Sequence, residues 1–156
     1  MKQLDLTQLD FLSEQATASP RLRANANLHD ELSDPIQRLA IAMEPDTVIR
    51  PHRHLHTWEL LTALRGRFVV FCFNDNGVVT DRAVLGEDCL VQETPAGVWH
   101  GVLSLDGGGV IFEVKRGPYL PISTADFAPG YGNDDAQQGF QLNRWYKQAR
   151  LGDKLW

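Results

Sequence analysis

The hydrophobic positions of this chain change period twice. Between residues 5 and 18, Leu6, Leu9, Phe11 and Leu12 are separated by polar residues, which predicts a short amphipathic helix closed by Ser19-Pro20. Residues 21–35 (RLRANANLHDELSDP) carry no period, so a polar loop or arm is expected there. From Gln37 the period shortens to two: Leu39, Ile41 and Met43 alternate with small or polar residues before Glu44-Pro45-Asp46 turns the chain. VIRPHRH, WELLTALRG, RFVVFCF, VVTDRAVL, LVQE, WHGVLSL and VIFEVK follow, punctuated by Asn74-Asp75-Asn76-Gly77, TPAGV and DGGG. Short strands in close succession, with no helix between them, indicate an antiparallel sandwich or barrel. Beyond Pro118 the pattern loosens until Leu142, Trp145, Tyr146 and Ala149 recur at helical spacing, predicting a terminal helix that docks by its aromatic face. The expected organisation is one mainly β domain over residues 1–156, with a helix and arm up to 35, a barrel over 37–116 and a loop and helix over 117–156.

One strand constrains its surroundings. In 67–73, Phe68, Val70 and Cys72 face one way while Val69, Phe71 and Phe73 face the other. Both faces are apolar, so the outer one requires cover, from the terminal helices or from a second subunit. A homodimer is expected on that ground.

Composition removes several function classes. A chain of 156 residues that is 43% hydrophobic can bury one core. A net charge of -5 excludes nucleic acid and an anionic membrane surface as expected partners, since both call for clustered positive charge. No segment has the length of a membrane-spanning helix. The stretch MKQLDLTQLDFLSEQ interleaves charge with leucine and lacks the apolar run of a signal peptide, so a cytoplasmic protein is expected. Cys72 lies within an apolar run and Cys89 has no metal-ligand neighbour, which predicts two free thiols.

Histidines carry the candidate chemistry. His52 and His54 share a strand face, with Cα atoms roughly 6.5 Å apart, and two imidazoles at that separation can converge on one metal. Glu59 sits at an odd offset, so a bend within Leu55–Trp58 is needed to bring it to the same side. His100 follows the Pro95-Ala96-Gly97 turn, and a barrel can return it to the same point. His56 is the rival ligand by parity. It would lie roughly 13 Å from the first ligand histidine on a straight strand, which favours a place on the pocket rim. His29, in the polar arm, reads as a surface or packing residue.

These spacings resemble the two motifs of the cupins. His52-x-His54, four residues, Glu59, six residues and Gly66 match the first, and Pro95-x-Gly97, two residues and His100 match the second. SPRLRANANLHD, DPIQRLAIAMEP, PAGVWH and FEVKRGPY further resemble the WbuC family of cupin-fold metalloproteins. The resemblance implies a double-sheet jelly-roll barrel, one metal held by His52, His54, Glu59 and His100, frequent dimers, and an association with bacterial surface-polysaccharide gene clusters. The chain departs from the cupin pattern in two places: Gly86 lies too far upstream of the Pro95 turn, and Ser104 stands where an asparagine is expected. Neither removes a ligand. Three nitrogens and a carboxylate suit one divalent transition ion, whether Fe(II), Mn(II), Ni(II), Cu(II) or Zn(II).

Other residues extend the site. Arg50 shares parity with the first two histidines and is a candidate to hold an anion beside the metal. Arg21, Arg23, Asn25 and Asn27 give the arm more hydrogen-bonding capacity than a plain loop needs, so Arg23 and Asn25, with His56, join the candidate substrate-binding set. Glu113 and Lys115 share a strand face, outward and solvated in the simpler reading or supplying acid–base function in the other. Tyr119 is a candidate for the pocket mouth. Three functions compete: a metal-dependent enzyme on a small polar, anionic, sugar-related or carboxylate molecule; a metal-anchored binding module; and a metal-free sugar-nucleotide epimerase of similar shape, which leaves the clustered ligands unexplained.

Overall fold

The computed structural model describes residues 1–156. Helix α1 (Leu6–Ala18) starts at Asp5, which with Gln8 forms a reciprocal capping box, and ends at Ser19 as the sequence predicts. Eight strands follow: β1 (Arg23–Asn27), β2 (Ile36–Met43), β3 (Glu59–Arg65), β4 (Phe68–Phe73), β5 (Val79–Leu85), β6 (Val91–Thr94), β7 (Trp99–Ser104) and β8 (Gly109–Arg116). Helix α2 (Ala136–Gln148) follows a loop and a short turn of 3-10 helix. No helix is long and apolar enough to cross a membrane.

Two antiparallel sheets face each other, one of five strands ordered β1-β2-β8-β3-β6 and one of three ordered β5-β4-β7. Between them Phe68 and Val70 pack on Met43, Leu61, Leu85, Val102 and Ile111. Outside the larger sheet, Ala40 and Ala42 leave room for Leu9, Leu12 and Ala16 of α1 to seat close to the strands. Outside the smaller sheet, Val69, Phe71 and Phe73 are covered by Leu142, Tyr146 and Ala149. The Phe71 and Tyr146 rings stack with centroids 5.1 Å apart. The cover that β4 demands therefore comes from α2 of the same chain, and its two apolar faces alone no longer call for a second subunit.

Two local expectations are corrected. The arm over 21–35 contains a strand, because β1 pairs with β2 from Arg23↔Met43 to Asn27↔Leu39. Its alternation of arginine and asparagine with alanine hides the strand, since the face away from α1 is polar rather than apolar. VIRPHRH forms no regular strand; only His52 makes bridges, one to His100 and one to Phe127. Pro51 removes one of the donors that a ladder there would need.

Both cysteines are free. Burial, followed by the nearby Asp81 carboxylate, pushes the Cys72 thiol up to about 11. Iodoacetamide applied to native protein near about pH 8 should therefore alkylate Cys89 and spare Cys72, which intact and peptide mass spectrometry resolves. Equal labelling of both would contradict the packing of β4.

Candidate metal centre

The site is assembled by backbone pairing before any side chain acts. His52 and His100 exchange backbone hydrogen bonds at 2.9 and 2.8 Å, which sets the two residues side by side. On its other flank the same segment is tied to 126–128 through Arg53 N–H to Asp126 O and Ala128 N–H to Pro51 O, both 2.9 Å. The Gly97 N–H donates to the His54 carbonyl at 2.8 Å. The turn that carries this bond needs the left-handed backbone of Gly97, at φ +80°. The expected bend is present between His54 and Glu59, and the Thr57 hydroxyl accepts from the Arg116 N–H at 2.9 Å to fix it against the end of β8. Glu59 then opens β3 opposite Lys115 of β8 and Thr94 of β6.

His52, His54, Glu59 and His100 are buried, and their ligand atoms all lie within 4.8 Å of one another. The ring centroids of His52 lie 4.9 Å from His54 and 4.4 Å from His100. His52 Nδ1 sits 2.8 Å from the Arg50 carbonyl, and His100 Nδ1 sits 2.9 Å from the Val98 carbonyl. A carbonyl only accepts, so both rings carry their proton on Nδ1 and present an Nε2 lone pair. Burial, with the neighbouring imidazole His100, holds His52 well below the usual histidine range; burial also lowers His100. Both are neutral near pH 7, as metal ligation requires.

Burial alone would raise Glu59, but His54, His100 and Lys115 outweigh it and keep the carboxylate ionised. Its Oε2 lies 3.2 Å from His54 Nε2 and its Oε1 3.6 Å from His100 Nε2. Neither contact has hydrogen-bond geometry, so both buried Nε2 atoms lack a partner. Unpartnered buried nitrogens are costly, and three imidazoles with one carboxylate around a common centre fit a divalent transition ion.

The cluster lies in a cavity of about 450 Å³ between the sheets. Arg23, Asn25, Asn27 and His29 line it from the β1 side and Tyr119 from the segment after β8. Glu113 and Lys115 correct the simpler expectation, since both project into this cavity. β8 runs between β2 and β3, so its alternate residues Ile111, Glu113 and Lys115 face inward while Val110 faces α1. Lys115 Nζ lies 2.6 Å from Glu113 Oε1 and 3.5 Å from Glu59 Oε2. Burial, then the Glu59 charge, raises Glu113; burial works against the Lys115 ammonium, but the two carboxylates outweigh it and raise its pKa.

Two candidate substrate-binding residues lie elsewhere. Arg50 is turned away, its guanidinium 4.0 Å over the Phe127 ring, 3.2 Å from the Tyr131 carbonyl and 3.4 Å from Asp134. Strand parity failed there because 47–50 is not a strand. His56 is exposed, with its ring 6.4 Å from that of His54, and is absent from the cavity wall. His29 is buried, as a packing residue would be, yet it also lines the cavity. Its Nδ1 lies 2.9 Å from the Arg38 backbone nitrogen and 3.0 Å from the Arg38 carbonyl, while its Nε2 has no partner. The signal for His29 was its position two residues beyond Asn27, readable only once β1 is known to be a strand.

A model of the domain of unknown function DUF6016 matches residues 4–85, more than half of the chain. The chain belongs to this family. The matched DUF6016 segment runs from α1 through β5 and contains His52, His54 and Glu59, with His100 beyond it. No curated protein matches the sequence. Among solved structures, TT1209 from Thermus thermophilus is similar at a TM-score of 0.56 and 21% identity, covering 74% of this chain and 97% of that one. KdgF from a Halomonas species gives 0.51 and 14%, covering 65% and 84%. Bacillus subtilis oxalate decarboxylase, a protein with Mn(II) centres, gives 0.50 and 16%, covering 64% and 26%. At these identities the likeness is one of fold: the DUF6016 chain has the mainly β cupin fold with a helix at each end, and its buried three-histidine, one-glutamate cluster is consistent with a metal site.

Proposed function

We propose that this protein holds one divalent transition metal ion through His52, His54, Glu59 and His100 and acts on a small polar, anionic, sugar-related or carboxylate molecule in the same cavity. The observation that carries the reading is the convergence of three buried imidazoles, two of them with unpartnered Nε2 atoms, on one ionised, buried carboxylate. The bound metal supplies a Lewis acid that polarises a ligand oxygen. The protein's own groups do the rest. Glu113 and Lys115 offer a carboxyl and an ammonium to orient ligand hydroxyls beside Glu59. Ile41, Leu61, Val102 and Ile111 line the cavity and limit water within it. The sequence resemblance to the WbuC family supports a place in surface-polysaccharide biosynthesis.

Elemental analysis of protein purified from unsupplemented medium should find close to one transition metal per chain. A screen of hydroxy acids and sugar phosphates by thermal melting should then give shifts in metal-loaded protein that disappear after chelation. Metal below about a tenth of an equivalent, with no uptake on reconstitution, would overturn the reading. Product formation with a stabilising compound would distinguish an enzyme from a metal-anchored binding module.

A further inference from the structure

The charges in the cavity do not balance one another evenly. Lys115 is shared between Glu113 and Glu59. Arg23, by contrast, makes no ion pair and no side-chain hydrogen bond, although it is half-buried and lines the same cavity. Glu113, in the same cavity, attracts it without pairing with it; Asp46, Asp134 and Asp135 line the adjoining cavity with it, and Asp134 pairs instead with Arg50. A partly desolvated guanidinium with five unclaimed donors is matched by a planar or tetrahedral oxyanion.

The surroundings keep it open. Leu22, just before β1, has a left-handed backbone at φ +52°, the one non-glycine residue with positive φ. That conformation is unfavourable for a leucine and is held by hydrogen bonds. Leu22 N–H donates to Ser19 O at 2.9 Å, and its carbonyl accepts from Glu44 N–H at 3.1 Å and the Thr47 hydroxyl at 2.5 Å. The arginines on both sides of it, Arg21 and Arg23, line the cavity. On the same face of β1, Asn25 Nδ2 donates to Asn27 Oδ1 at 2.9 Å, leaving the other Asn25 and Asn27 donors and acceptors free for hydroxyls.

Position sets the size of the occupant. β1 and β3 are about 14 Å apart across the five-stranded sheet, with β2 and β8 between them, and Arg23 lies level with Met43 and Gly109 while Glu59 lies level with Lys115 at the other end of β8. Arg23 therefore cannot share an oxygen with Glu59 and the histidines. It acts at the opposite end of the cavity.

Resting on the metal-anchored reading above, we propose that Arg23, supported by Arg21 and Asn25, is the anion-binding pole of the site. It receives the carboxylate or phosphate of a polyhydroxylated ligand of about six carbons, whose other end reaches the histidine–glutamate cluster.

Titration calorimetry on the metal-loaded full chain tests this with gluconate and glucose 6-phosphate, their neutral counterparts sorbitol and glucose, and the two-carbon acid glycolate. At least one six-carbon anion should bind about tenfold or more tightly than its neutral counterpart, and Arg23→Gln should erase that difference. The two anions separate a carboxylate occupant from a phosphate one. Glycolate, which reaches only the metal, should bind wild type and Arg23→Gln alike, and Arg50→Gln should leave every affinity unchanged. The inference is overturned if no six-carbon anion outbinds its neutral counterpart, if Arg23→Gln leaves the preference intact, or if it weakens glycolate equally. Metal content, measured on each variant, reports separately on the metal reading: its loss from wild type would sink that reading, while full occupancy with no effect of Arg23→Gln would sink only this one.

Discussion

His54→Ala is expected to leave the chain with less than about a tenth of the wild-type metal content, and Glu59→Ala to do the same. His54 forms the third corner of the imidazole set, with ring centroids 4.9 Å from His52 and 5.4 Å from His100, so its loss opens one side of the donor set. The effect should also be visible as stability. A ligand present at a hundredfold excess over its Kd stabilises the native state by about 2.7 kcal/mol, which in a domain of this size is a Tm rise of roughly 5–10 °C. Chelation should remove that increment from wild type and leave His54→Ala unmoved. His56→Ala should retain full metal, because that ring is exposed and outside the cluster. Unchanged metal content in His54→Ala and Glu59→Ala would dismantle the assignment; loss in His56→Ala would instead bring the exposed histidine into it.

The four clustered residues were legible in the sequence because their spacing is local. His52, His54 and Glu59 lie within eight residues and His100 follows its own glycine turn, so the residue types and one required bend were enough to name them. The two-sheet barrel was legible for the same reason, through period-two runs and turn residues. The remainder of the cavity wall was hidden because it depends on register. Glu113 and Lys115 face the cavity only because β8 is paired on both edges, with α1 covering its other side; the run VIFEVK reads equally well with Val110, Phe112 and Val114 inward. β1 was missed because an edge strand whose cavity face carries Arg23, Asn25 and Asn27 has no apolar stripe to announce it. Arg50 failed for the opposite reason: parity was applied to a segment that the backbone does not extend as a strand.

Gly101→Ala is expected to destabilise the fold by about 3 kcal/mol or more, at or beyond the upper end of ordinary overpacking. Gly101 lies on β7 beside the ligand His100, opposite Phe71 of β4, where α2 seats on the smaller sheet. A Cβ there would fall 2.1 Å from Tyr146 Oη and 2.8 Å from its Cζ. The tyrosine cannot retreat, since it is fully buried and stacked on Phe71. Its hydroxyl has no hydrogen-bond partner, so Tyr146→Phe removes an unsatisfied buried group and should be neutral or slightly stabilising. Tyr146→Ala should cost about 3–5 kcal/mol, because it empties the centre of the outer cluster. Combining Gly101→Ala with Tyr146→Phe should recover part of the loss and not all, because the ring carbon remains too close once the oxygen is gone. Urea unfolding followed by circular dichroism gives the four corners of this cycle, and the double variant should be less destabilised than the sum of the two single changes by more than about 0.5 kcal/mol. Additive effects, or a Gly101→Ala protein as stable as wild type, would mean that α2 does not close over β7, and the outer face of β4 would again need a second subunit to cover it.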